Sequence, residues 1–266
     1  MHSGLGASFK HAKRASATSC RLATTALAFA IIYGGLPALA LDRERSPCTD
    51  DAMLVFDASG SMSSKIGGSG AAHAVTRIDM VRDALSKILP GVTRVRSVGL
   101  MSYGPTHNPG LFNQCDNIEL KLLPEPNAAA RIIALVQSLV PAGGTPLTRA
   151  VEQGAEILDF RRKPAVIVVL TDGEDTCGGS PCRVGKALHD AAAQLTIHVI
   201  GLGAKGSGAG RVVETKCLAE HNSGLYLTPE TADDLAADLQ KTLGCPMVSQ
   251  SSLVTEQEFG PGYERW

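Results

Sequence analysis

Two uninterrupted apolar runs, residues 52–56 (AMLVF) and 165–170 (AVIVVL), constrain this chain more than any other feature. A strand that is apolar at every position, not at every second one, is buried on both faces. Such a strand belongs inside a parallel sheet, with helices covering both sides. The remaining pattern agrees. Apolar residues recur at helical spacing over residues 77–89 (Ile78, Val81, Leu85 and Ile88) and again over 126–139, 147–158, 183–194, 212–221 and 232–243. Extended segments at 96–103, 196–200 and 224–227 fall between them, and 117–122 (NIELKL) alternates like a short edge strand. Pro90-Gly91 is expected to end the first helix. The expected fold class is α/β: a doubly wound, mostly parallel central sheet with one short antiparallel edge strand and helices on both faces.

Composition narrows the setting. A chain of 266 residues with 44% hydrophobic but only 4% aromatic residues suits a core packed from Ala, Val and Leu. Its net charge of −1 gives no general attraction to nucleic acid, and none is expected as a partner. Lys10, Lys13, Arg14 and Arg21 precede an apolar stretch at 22–36, and Ala38-Leu39-Ala40 follows. That order of basic, apolar and small residues is a signal-peptide pattern, so residues 1–40 are expected to be a cleaved leader. The stretch is short for a membrane span and contains Gly34 and Gly35. No later segment is long and apolar enough to cross a bilayer, so no span is expected in the mature chain. Of the seven cysteines, Cys20 falls in the leader. The other six, an even number, fit an oxidising compartment, periplasmic or extracellular, and allow 15 pairings. None forms a C-x₂-C pair, so a zinc site is not expected. Residues 246–266 are polar, carry Gly-Pro-Gly, and read as a flexible tail.

Oxygen-bearing side chains gather where the strands stop. The run MLVFDASGSMSS presents Asp57, Ser59 and Ser61 from five consecutive residues. Thr145 follows Gly143-Gly144, and Asp172 follows the AVIVVL strand within Thr171-Asp172-Gly173. In open α/β sheets ligands bind outside the carboxyl ends of strands. Two carboxylates and three hydroxyls there are hard donors of the kind that divalent cations take. Taken singly, each has an ordinary explanation: the serines as turn or cap residues, Thr145 as a cap before Pro146, Asp172-Gly173 as a turn. Their joint occurrence in order favours one site. Glu174 and Asp175 are read as a solvated loop. Gly201-Leu-Gly203-Ala-Lys-Gly206 matches G-x-G-x-x-G, but it follows a late strand and runs into Ser207-Gly-Ala-Gly210, so it reads as loop punctuation and not as a dinucleotide site.

The combination of D-x-S-x-S, a later Gly-Gly-Thr loop and a strand-end T-D-G resembles the von Willebrand factor type A family, over about residues 48–245. The resemblance implies a Rossmann-like fold with a metal-ion-dependent adhesion site. Ser59, Ser61 and Thr145 would hold Mg²⁺, with Mn²⁺ or Ca²⁺ as alternatives, directly or through water. Asp57 and Asp172 would support it mostly through water, and an acidic group of a partner protein would complete the shell. The implied function is metal-dependent adhesion or protein interaction without catalysis. Two alternatives remain: a metal-assisted hydrolase, and a structural domain whose metal only braces loops. A Cys48–Cys245 bridge is expected to tie the domain ends. Cys182 with Cys217 is the preferred further pairing, leaving Cys115 with Cys177, with all four expected in connections near the metal edge.

Overall fold

At the centre of a six-stranded sheet, β1 (Ala52–Asp57) pairs in parallel with β4 (Ala165–Thr171), and every residue of both strands is buried. The structure, a computed structural model, describes residues 50–66, 75–104, 114–203 and 213–244. The expected leader, the tail, the Cys48–Cys245 bridge and positions 204–206 of the glycine motif lie outside those residues.

From the centre the sheet grows both ways. On one side come β2 (Val98–Tyr103), parallel to β1, and β3 (Ile118–Glu125), antiparallel to β2. On the other come β5 (Leu195–Gly201) and the short β6 (Tyr226–Leu227), both parallel. The order is therefore β3-β2-β1-β4-β5-β6. The α/β fold expected from the sequence is present. The antiparallel edge strand, however, is not short: it runs eight residues, with register shifts beside Leu100. It continues through Pro124, which an edge strand tolerates because one side needs no ladder donors.

Alternate strand residues feed two cores. Leu54, Phe56, Val168 and Leu170 pack with α1 (Arg77–Val92), α2 (Ala129–Ser138) and α6 (Ala232–Leu243). Met53, Val55, Ile167 and Val169 pack with α3 (Leu147–Ile157), α4 (Pro181–Ala191) and α5 (Val213–His221) on the opposite face. Two faces buried by helices explain why β1 and β4 carry no polar alternation.

The first helix passes the expected stop. Pro90 lies inside its last turn, and Thr93 closes it by donating its N–H to Leu89 O. An interior proline costs ~3 kcal/mol. Burying Leu89 and Val92 fully contributes ~1.5–3 kcal/mol each, which offsets that cost. The second helix starts later than expected, because Asn127 takes a left-handed φ of 56° that no helix includes.

Candidate metal site

The switch point of the sheet lies between β1 and β4, where the chain turns from building one half to building the other. Both strands end there, at Asp57 and Thr171. Asp57 is fully buried and both its oxygens are engaged. Oδ1 accepts the Ser59 N–H at 2.8 Å, and Oδ2 accepts the Thr171 hydroxyl at 2.8 Å. Ser59 Oγ and Ser61 Oγ are 3.0 Å apart, and Ser61 Oγ donates to Asp172 Oδ1 at 2.7 Å. One hydrogen-bonded chain thus links Asp57, Ser59, Ser61 and Asp172, and its Ser61–Asp172 step crosses 111 residues of sequence. Ser59 is buried and Ser61 is exposed, so the cluster faces solvent at Ser61.

Thr145 arrives by its backbone. Ala142 N–H donates to Ala58 O at 2.9 Å, and Gly60 N–H donates to Gly143 O at 3.3 Å. These bonds dock the Gly-Gly-Thr loop on the loop that follows β1. The approach requires glycine. Gly143 has φ +70°, and a Cβ there would lie 2.3 Å from Gly104 O. Gly104, at φ +103°, would in turn drive a Cβ into the Ser59 backbone N at 2.4 Å. Among the described residues, no side-chain hydrogen bond joins Thr145 to the other four. Its N–H donates to Thr176 Oγ1 at 2.9 Å and its carbonyl accepts from Thr176 N–H at 3.1 Å.

Three supporting features were not visible in the sequence. Arg77, at the start of α1, donates through Nη1 to Asp172 Oδ2 at 2.7 Å and to Ser61 O at 3.2 Å. The Asp172 side chain in this pair is only 1% exposed. Tyr103, fully buried at the end of β2, lies close enough to the Asp57 charge that burial and that charge push its hydroxyl well above the usual tyrosine range. Asp175 is not the solvated acid expected: its carboxylate accepts from Thr148 N–H, Thr148 Oγ1, Cys177 N–H and Gly179 N–H. It therefore holds the loop after β4 against the first turn of α3.

The electrostatics describe a site short of positive charge. Burial, and then the nearby Asp172, push the Asp57 carboxyl up to about 6. A buried carboxylate beside a second one is costly to ionise, and a cation relieves both causes at once. The donors are two carboxylates and three hydroxyls, hard oxygen ligands suited to Mg²⁺, Mn²⁺ or Ca²⁺. Among the described residues no group of three or more His, Cys, Asp or Glu side chains could hold a metal, so any ion here would rely on hydroxyl ligands and water. These residues fit a hard divalent cation.

Two disulfides are formed among the described residues. Cys115–Cys177 ties the segment before β3 to the loop after β4, and Cys182–Cys217 ties α4 to α5. Both pairings are those expected. Cys182 and Cys217 lie on helices, not in connections, because α4 begins one residue before Cys182 and α5 spans Cys217.

Residues 52–174 match the family model of the von Willebrand factor type A domain. The chain is 27% identical over 187 residues to the uncharacterized protein YwmC of Bacillus subtilis (strain 168), spanning 68% of this chain and 78% of that protein. The PilB minor pilin from Streptococcus sanguinis shares the fold at a TM-score of 0.52 and 16% identity, covering 73% of this chain and 60% of the pilin. A von Willebrand factor type A structure from Catenulispora acidiphila does so at 0.50 and 16%, covering 74% and 42%.

Proposed function

We propose that this is an exported interaction module that binds a divalent cation, Mg²⁺ first, at Asp57, Ser59, Ser61, Thr145 and Asp172. Through that ion it captures a carboxylate of a partner protein. The observation that carries the reading is the hydrogen-bonded chain from Asp57 to Asp172, which assembles hard oxygen donors from both sides of the switch point. Ser59, Ser61 and Thr145 supply hydroxyl oxygens for the ion. Asp57 and Asp172 supply negative charge and accept hydrogen bonds that orient those hydroxyls. The exposed side at Ser61 leaves room for water or the partner's acid. The ion's contribution is electrostatic attraction for that acid. The module binds without turnover, and the domain itself spans about residues 48–245, after a leader at 1–40 and before a tail at 246–266. Export is supported by the two disulfides, which persist in oxidising compartments.

Calorimetric titration of the domain with Mg²⁺ and Mn²⁺ tests the site. Binding heat is expected in the wild type, weakened about tenfold or more in Ser61→Ala and lost in Asp57→Ala. Silence in the wild type, or unchanged heat in Asp57→Ala, refutes the metal. A capture experiment with and without chelator tests the partner. If Asp57→Ala lowers thermal stability but captures the same proteins, the ion only braces loops.

A further inference from the structure

We infer that Arg77 is a resident competitor for the divalent cation: its guanidinium holds Asp172 in the metal-free domain and is displaced when the ion binds. The inference rests on the metal-site reading above and adds a residue that none of the motif positions includes.

Both oxygens of Asp172 are already committed. Oδ1 accepts from Ser61 Oγ at 2.7 Å, and Oδ2 accepts from Arg77 Nη1 at 2.7 Å. The same Nη1 donates to Ser61 O at 3.2 Å, so the guanidinium lies against two residues of the cluster. The Asp172 carboxylate is almost fully buried and the Arg77 side chain is 18% exposed, so the pair is only weakly screened by solvent. A divalent ion drawn to Asp57 and Asp172 meets a site whose two negative charges are already offset by one positive charge. It gains less there than at an uncompensated pair. The charge is covalently tethered at the first residue of α1, so salt does not dilute it away.

The hold is also incomplete. Arg77 Nε is buried and has no hydrogen-bond partner among the described residues. A guanidinium that leaves a buried donor unsatisfied gives up less when it moves than a fully bonded one would. Asp172 therefore stays neutralised without the ion, and the guanidinium can yield to it. The consequence is a weak, reversible metal site in a domain that keeps its edge ordered when the ion is absent.

The test compares wild type, Arg77→Gln and Arg77→Lys, titrated with Mg²⁺ and Mn²⁺ by calorimetry and melted in chelator. Arg77→Gln is expected to bind Mg²⁺ on the order of tenfold tighter, matching the loss of one charge-assisted hydrogen bond, and to melt lower in chelator. Arg77→Lys, which keeps the charge, is expected to stay near the wild type. Equal or weaker binding by Arg77→Gln overturns the inference while leaving the metal site standing. No binding by any of the three overturns the metal site and the inference with it. In the wild type, the Arg77 Nε–H resonance is expected to shift on adding Mg²⁺. This readout serves if Arg77→Gln does not fold, and an unmoved resonance under saturating ion overturns the displacement.

Discussion

His198 sits in β5 with its Nδ1 accepting the Leu225 N–H at 3.0 Å, so the folded domain requires the neutral ring. Burial first, and the charge of Arg96 second, push its pKa down to about 4 from the usual histidine value near 6.5. The unfolded chain therefore binds a proton that the folded one refuses between those values. The stability this gives is present above about pH 6.5 and is lost as pH falls toward 4. His198→Asn keeps an acceptor for Leu225 but cannot titrate. Its melting temperature relative to wild type is expected to rise as pH is lowered from 7 to 4.5, and a flat difference across that window contradicts the assignment. At the same scale, the sequence disclosed the cluster unevenly. Asp57, Ser59 and Ser61 are legible because they lie within five residues and end an all-apolar strand. Asp172 is legible because it directly follows the other all-apolar strand. Arg77 is not: an arginine opening a helix looks the same whether it points to solvent or reaches a carboxylate 95 residues away.

Helix α1 shows what an element tolerates when its buried face is strong. Its terminal turn includes Pro90, which is exposed and cannot donate to Ser86 O, while Leu89 and Val92 on either side are buried. The sequence rule that proline ends a helix failed there because tertiary burial outweighed local propensity. Pro90→Ala restores the donor without touching the core, and is expected to stabilise the domain by about 1–3 kcal/mol in chemical denaturation. A neutral or destabilising result shows that the turn is strained for another reason. The edge strand β3 was read too short by the same kind of local rule. The strand runs on through Pro124 to Glu125, because an edge position does not need the missing N–H.

At the scale of the molecule, the sheet order makes the site and the disulfides fasten it. Cys115–Cys177 closes a span of 62 residues, and beside the bridge Gln114 O accepts the Gly144 N–H at 3.2 Å while Thr176 grips Thr145. In the chain-entropy picture, removing the bridge with Cys115→Ser and Cys177→Ser destabilises the domain by about 4 kcal/mol. Because the bridge joins the segments that flank the Thr145 loop, the double variant is also expected to bind Mg²⁺ more weakly than wild type, measured by calorimetry at a temperature where both are folded. Unchanged affinity means that the loop holds its place through hydrogen bonds alone. The sequence by itself determined that an α/β sheet forms, since runs like AVIVVL can be buried only between two helical layers, and that oxygen-rich residues follow its strands. Only the tertiary structure decided that Asp57 and Asp172 share one cluster, that Gly104 and Gly143 meet there, and that Arg77 enters it. Those contacts join segments whose separation along the chain leaves no local periodicity to read; the strand order, fixed by packing of the whole sheet, brings them together.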